Sequence, residues 1–444
     1  MDTKDELLRA KAVVNSDPDE AVRICSKIID FDPDAQEAQM ALFMFAYVLL
    51  QSGKPGVAYH LYQRCAQLNP NIADIYTNMG MCLEESNPEK GVECFKKALK
   101  INPNNTGALA NLGLMYLYLA DPKKAIKYSN KAIELDPNLA AARHNRALAL
   151  LMKRDYQGWQ DYADSLGVKG REARDYGKPD WQGQKDCTVL VYGEQGVGDE
   201  VMFASCLEDM AKDVNIVLDT DSRLEDLFTR TFPNIKVYGD RFKTASRAAD
   251  EDFDYQCAIG QLPAFYRHKA EDFPGKAYLK ANPLHRKMFK SLFDGMPGKK
   301  IGLAWNGGLP NTKQRERSIS LECFEGVISP DNTYINLDYV DPENTKYGMQ
   351  CFPWATAKKQ DIDYLAALVS SLDCVVTSCT TVVYIAGALG IPCLVLTPSK
   401  PGYRYHVSGS KFDWYSSVKL VRQQTNQAWK ETINAAQKAN PEFF

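Results

Sequence analysis

The sequence predicts a helical repeat array followed by an α/β region made of two doubly wound halves. Three observations predict it. A 34-residue segment with a proline near its end recurs back to back at 72–105 and 106–139. Beyond residue 188, short apolar runs alternate with helical stretches. Small and polar residues then collect near 193–199, 305–308 and 377–381, each where a strand should end.

The array comes first. IADIYTNMGMCLEESNPEKGVECFKKALKINPNN (72–105) and TGALANLGLMYLYLADPKKAIKYSNKAIELDPNL (106–139) are equal in length, and Pro70, Pro103 and Pro137 keep their period. In the second copy Leu112, Gly113, Tyr116, Ala125, Ala132 and Pro137 fall in a pattern that resembles the tetratricopeptide repeat. Gly113 and Ala125 are small, so two helices of a hairpin can approach, while the proline ends the second helix. Weaker copies precede these. DPDEAVRICSKIIDFDPD (17–34) reads as the second half of a repeat, and 35–71 as another. AAARHNRALALLMKRDYQGWQDYADSL, after 139, reads as a closing helical pair, giving an array with capping helices over 1–166. The resemblance implies a concave surface for a protein or peptide partner; a rigid spacer or a homodimerisation element is the alternative.

Composition narrows the function classes. Hydrophobic residues make up 45% and charged residues 25%, as in soluble globular proteins. A net charge of −3 argues against nucleic acid as a partner, because phosphate backbones want a basic surface. The longest apolar run, ALFMFAYVLL (41–50), is about half of what spans a bilayer, so no transmembrane segment is expected. MDTKDELLRAKAVVNSDPDE lacks the apolar core of an export signal. The 12 cysteines are scattered without a CxxC pair, and His60, His144, His268, His285 and His406 lie far apart. Reduced core thiols, a cytoplasmic location and no metal are the expectation.

The polar stretch REARDYGKPDWQGQK suits a connector over 167–187. TVLVYG (188–193), NIVLDT (215–220), IKVYG (235–239) and YQCAIG (255–260) then read as strands of a first Rossmann-like half, 188–292. After FDGMPGKK, a second half (293–424) carries KIGLAWNGG (300–308), TYINLDY (333–339), CVVTS (374–378), PCLVLTP (392–398) and VKLVRQ (418–423). DYLAALVSSL and TTVVYIAGALG supply helices between them, and 425–444 reads as a final helix. Ligands of open parallel sheets sit at the carboxyl ends of the strands, and the cleft between two such halves is the default site.

The candidate residues cluster at those ends. Gly193, Gly196 and Gly198 make a tight turn before Asp199 and Glu200. An aspartate there either faces a cleft as a base or complements a helix dipole. Thr380 and Thr381, after Ser378 and Cys379, open a small-residue helix whose free N–H groups suit a diphosphate; capping alone is the other reading. Lys313, Arg315 and Arg317 place cations in the loop after 300–308. Trp305, with Asn306 and Gly307, ends its strand where it packs either on a base or sugar or in the core. Asp219-Thr220-Asp221 spells a metal-diphosphate motif but reads better as a strand end with Asp221 capping a helix near Arg223. The glycine spacing does not match a dinucleotide fingerprint.

These stretches resemble a known arrangement. GEQGVGDEVMFASCL, LDTDSRLEDLFTRTFPNIKV, IGLAWNGG with RSISL, and VVTSCTTVVYIAGALGIPCLVLTP are similar to the bacterial glycosyltransferases that include the lipopolysaccharide heptosyltransferases, in a version fused to tetratricopeptide repeats. The resemblance implies a GT-B architecture and an inverting, metal-independent transfer from a nucleotide sugar, the first half handling the acceptor and the second the donor. It implies Asp199 as base, and a diphosphate site at Lys313, Arg317, Ser318, Cys379, Thr380, Thr381 and Tyr384, flanked by Gly196, Gly198, Trp305, Asn306 and Gly307. It implies a last helix that crosses back to the first half. Two positions depart: Cys379 stands where the family often has Asp, and Tyr384 where it usually has His. The expected function is therefore transfer of a sugar to a hydroxyl of a protein, peptide or glycan, with an inactive scaffold and a nucleotide-sugar epimerase as alternatives.

Overall fold

Prolines punctuate the N-terminal helices. In the structure, a computed structural model describing residues 2–32, 36–168, 170–308, 317–357 and 362–444, the chain divides into two compact units, Met1–Leu150 and Leu151–Phe444. The first holds α1 (Thr3–Val13), α2 (Pro18–Phe31), α3 (Gln36–Gln51), α4 (Pro55–Leu68), α5 (Ala73–Cys82), α6 (Pro88–Ile101), α7 (Thr106–Tyr118) and α8 (Pro122–Leu135), paired as hairpins, and most of α9 (Ala140–Met152). The second helix of every hairpin opens on proline, whose missing N–H costs nothing in a first turn. Asp17, Asn87 and Asp121 cap three of these helices by accepting from Glu20, Lys90 and Lys124 backbone N–H groups. Helix α1 completes a first hairpin of which the sequence showed only the second half. It buries only Leu7 and Ala10, too little to leave a periodic signature.

Small residues set the helix spacing. At Gly113 a Cβ would lie 2.7 Å from the buried Ser129 Oγ, and at Gly80 one would lie 2.6–2.8 Å from the Phe95 ring. Phe95 is itself fully buried. Glycine is thus retained inside two helices, where its propensity is poor, because the neighbouring helix occupies the space of a side chain.

The second unit contains two all-parallel sheets. β1 (Thr188–Tyr192), β2 (Asn215–Asp219), β3 (Lys236–Tyr238) and β4 (Tyr255–Ala258) form the first, in the order β3-β2-β1-β4. β5 (Lys300–Ala304), β6 (Thr333–Asn336), β7 (Gln350–Cys351), β8 (Cys374–Thr377), β9 (Cys393–Thr397) and β10 (Val418–Arg422) form the second, in the order β10-β9-β8-β5-β6-β7. Every apolar run read as a strand is one; the two-residue edge strand β7 carried no such run. Strand order reverses between β1 and β4 and between β5 and β8. The loops leaving β1, β5 and β8, which hold the candidate residues, therefore lie at switch points.

Three features differ from the sequence reading, and a fourth, left open there, is decided by the fold. The division between units falls after Leu150, not near 166. Residues 151–166, read as a repeat cap, sit in the second unit because Trp159 and Tyr162 of α10 (Gly158–Asp164) pack with Phe203, Tyr403 and Trp414. The 167–187 connector is anchored. Asp180 bridges to Gln256 beside β4, Trp181 N–H donates to the Gln256 carbonyl at 2.8 Å, and Arg171 is buried against Glu194. The last helix, Trp429–Ala439, does not cross back to the first half. Ile433, Ala436 and Phe443 bury into the core of the second sheet, where they have apolar partners. For Trp305, read as either a platform for base or sugar or a core residue, the fold selects the core, where it is 4% exposed.

Gly80→Ala tests the packing claim, since helix propensity alone predicts a gain of about 1 kcal/mol. We expect a loss of about 1–3 kcal/mol instead, because the ring cannot retreat from a filled core. Chemical denaturation of the wild type and the variant gives the sign.

Candidate functional site

The site is built where two helices begin. Tyr192 ends β1, and the chain turns through Gly193–Gly196 into α11 (Val197–Ala204), which carries Asp199 and Glu200 in its first turn. In the second sheet, β8 gives way to Ser378, Cys379 and Thr380, and the Thr381–Leu389 helix follows. The two helix starts meet at Gly198. A Cβ there would lie 2.9 Å from the Tyr384 ring and 3.3 Å from Thr381 Oγ1, so only glycine allows this approach.

Asp199 points across this junction and pairs with Arg404, in the loop after β9. Arg404 lies over the Tyr403 ring, 4.3 Å from its centroid. Burial works against its charge, but the Asp199 carboxylate and the surrounding tyrosines hold its pKa well above the usual value. Arg404 was not among the residues singled out from sequence. Its loop carries no motif, and its partner is 205 positions away.

Glu200 behaves differently from its neighbour. It is fully buried and accepts from Arg241, from Thr220 Oγ1 and from the Asp221 N–H at 3.1 Å. Burial pushes its carboxyl up to about 7, with Arg241 opposing. Gly193 is needed because a side chain there would collide with this carboxylate. Asp219 and Asp221 are likewise structural: Asp219 accepts from Tyr176 Oη at 2.8 Å, and Asp221 caps the turn at Ser222–Leu224 by accepting from Arg223.

Around the second helix start, Thr380 is the N-cap, accepting from the Val382 N–H at 3.2 Å, and its hydroxyl lies 3.2 Å from Thr377 Oγ1. Arg317 donates to the Cys379 carbonyl at 3.3 Å. Ser318 Oγ accepts from the Gly307 N–H at 3.1 Å, and Gly307 is pressed against the Arg317 backbone. Arg317, Ser318, Gly307, Cys379, Thr380 and Thr381 are therefore brought together. Lys313 and Arg315 lie outside the described residues. Asn306 is held away from a ligand role by Asp338, a buried carboxylate just past β6 that sequence reading missed. Asp338 accepts from the Trp305 and Asn306 N–H groups at 3.1 and 2.7 Å, from Asn306 Nδ2 at 3.1 Å, and from Val340 and Asp341.

The two departures from the family pattern are buried. Burial pushes the Cys379 thiol up to about 12, which removes it as a nucleophile. The Tyr384 hydroxyl, also up to about 12 through burial, faces Tyr405 Oη at 3.4 Å, and its ring packs beside Phe412. Tyr384 thus fills the helix junction and does not present its hydroxyl to a phosphate.

In the repeat unit a separate groove of about 660 Å³ is lined by Met40, Phe43, Met44, Tyr47, Ile72 and Ile75, with Lys11 and Asp74 among its polar residues. Among the described residues no helix is long and apolar enough to cross a membrane.

Comparison with known proteins finds the tetratricopeptide repeat family model at residues 71–105 and 106–139, so the chain carries these repeats. The protein FlbA of Caulobacter vibrioides is 26% identical over 434 residues, covering 90% of this chain and 72% of that protein. Among solved structures, pilF of Pseudomonas aeruginosa is 20% identical, covering 38% of this chain and 78% of its own, with a TM-score of 0.34. A thermophilic tetratricopeptide repeat protein of Thermus thermophilus is 18% identical, covering 38% and 91%, with a TM-score of 0.32.

Two measurements check the electrostatics. Arg404→Ala leaves Asp199 without its counter-ion and should cost about 1–3 kcal/mol, less than a fully buried pair because both side chains reach solvent. The double variant with Asp199→Ala should recover part of that loss, and additive losses would show the pair to be uncoupled. Glu200 titrates near 4.3 in an unfolded chain and about 7 in the folded one. Its stabilisation is complete below the unfolded value and is lost as pH rises through about 7. Urea midpoints from pH 4.5 to 8 should therefore decline more steeply in the wild type than in Glu200→Gln; identical slopes would exclude Glu200 as the source.

Proposed function

We propose that this chain is an inverting, metal-independent glycosyltransferase of GT-B type. It moves a sugar from a nucleotide-sugar donor to a hydroxyl of an acceptor held with the help of its repeats. The observation that carries the reading is the meeting of two helix N-termini at the switch points of two parallel sheets, with Asp199 on one and Thr380, Thr381 and Arg317 around the other. A departing nucleotide diphosphate needs cations and aligned N–H dipoles when no metal assists. In this reading the Thr381–Leu389 N-terminus, Arg317 and Lys313 supply them. The acceptor oxygen attacks the anomeric carbon, the bond from that carbon to the diphosphate oxygen breaks with its electron pair leaving on the nucleotide, and Asp199 takes the hydroxyl proton. Arg404 must release Asp199 for that step, and an arriving diphosphate is an alternative partner for the same guanidinium. The apolar groove between α3 and α5 is the place for a segment of a protein or peptide partner.

The Asp199–Arg404 pair also favours a second reading, a nucleotide-binding scaffold without turnover, since the carboxylate is already engaged by the guanidinium.

Thermal-shift titration with UDP, GDP, ADP, CMP and dTDP, with and without EDTA, tests the donor site. A nucleotide at 100-fold its Kd adds about 2.7 kcal/mol of stability. One nucleotide should respond selectively, without regard to EDTA, and Arg317→Ala should abolish the response. Slow donor hydrolysis that Asp199→Asn removes would establish the transferase reading; binding without turnover in any condition would establish the scaffold. Failure of every nucleotide to bind would overturn both.

A further inference from the structure

A second cavity, of about 790 Å³, opens beyond the carboxyl ends of β2 and β3. It is within the range of small-ligand sites, about 300–1,000 Å³. Its wall runs from Arg174 and Tyr176 to Arg241, Phe242 and Lys243, with Asp250 opposite. Three features mark it as a built site. Phe242 is 67% exposed, an unusual state for a large aromatic, and its ring is fixed by the Arg241 guanidinium at 4.2 Å and by Arg174 at 6.0 Å from the centroid. Arg241 is only 6% exposed, and its Nε finds no acceptor among the described residues although another of its nitrogens is paired with Glu200. Tyr176 is immobilised by its hydrogen bond to Asp219.

The charges decide the ligand class. The lining carries both signs: the cations Arg174, Arg241 and Lys243, of which Arg241 and Lys243 pair with Glu200 and Asp240 outside it, and the carboxylates Glu172, Asp175 and Asp250. A polyanion would meet these carboxylates and an apolar ligand would strand the polar groups. A polyol suits both, because each hydroxyl donates to a carboxylate and accepts from a guanidinium. The exposed ring then offers an apolar face for the C–H side of a pyranose.

We propose that this cavity is a carbohydrate-binding subsite, distinct from the donor site. If the transferase reading holds, it receives a sugar unit of the acceptor; the binding itself does not depend on that reading. Arg241, in the cavity wall, also pairs with Glu200, the residue next to Asp199.

Saturation-transfer difference NMR on the full chain, with a panel of free neutral hexoses, N-acetylhexosamines and their β-linked disaccharides, tests it. At least one sugar should receive saturation, and the signal should fall at least fivefold in Phe242→Ala and in Arg174→Ala. Both substituted side chains reach solvent, so the fold should persist, as an unchanged Tm will verify. Arg317→Ala should leave the sugar signal intact while removing nucleotide binding, which separates this site from the donor site. No signal from any sugar, a signal that survives Phe242→Ala, or one lost only in Arg317→Ala would each overturn the proposal.

Discussion

Two helix N-termini of like dipole sign are brought face to face in the α/β unit, and the charges placed between them make that possible. Each helix start carries about half a positive charge, so their approach is unfavourable by itself. Asp199 sits in the first turn of α11 and supplies the compensating negative charge. Arg404 reaches it from the opposite sheet, so one carboxylate is shared by a dipole and a guanidinium. Gly198 provides the room and Tyr384 the filling. The proposed diphosphate site rests on this arrangement, because N–H groups at a helix start and arginines suit an anion.

The junction is braced by aromatic residues from three separate stretches of chain. Trp159 of α10 packs edge-on against Phe203 of the first half and Tyr403 and Trp414 of the second, and Tyr162 packs at a tilt against Phe203 and Tyr403. Beside them Asp413 accepts from Tyr156 Oη at 2.6 Å and pairs with Arg154 and His406. Burial opposes ionisation of Asp413, but these hydrogen bonds and charges together bring its carboxyl down to about 2. The segment from Leu151 onward therefore packs against both halves, and its contacts hold the loop after β9 that carries Arg404.

Buried charge in the first half follows one rule. Glu194 and Glu200 are both fully desolvated, and each has an arginine together with hydroxyl, amide or backbone donors. Desolvation is too costly for a carboxylate to remain there otherwise. The consequence is that the turn after β1 is rigid on both sides: Glu194 ties it to the end of β4, and Glu200 ties it to the loops after β2 and β3. Asp199, between them, faces the other half.

The sequence by itself determined the repeats and the strands, and with them the strand ends at which the candidate residues lie. A 34-residue period, β-branched runs and glycine-rich strand ends are local patterns, and local patterns survive without knowledge of the fold. Asp199, Arg317 and the Thr380–Thr381 helix start were legible for that reason. Tertiary structure decided what these residues touch. It placed Trp305 in the core, Glu200 in a buried pair with Arg241, and the last helix against the second sheet. Arg404, Asp338 and Arg241 entered only through the fold. Each acts on a residue at least 32 positions away in the chain, and no short window of sequence records a pairing over such a distance.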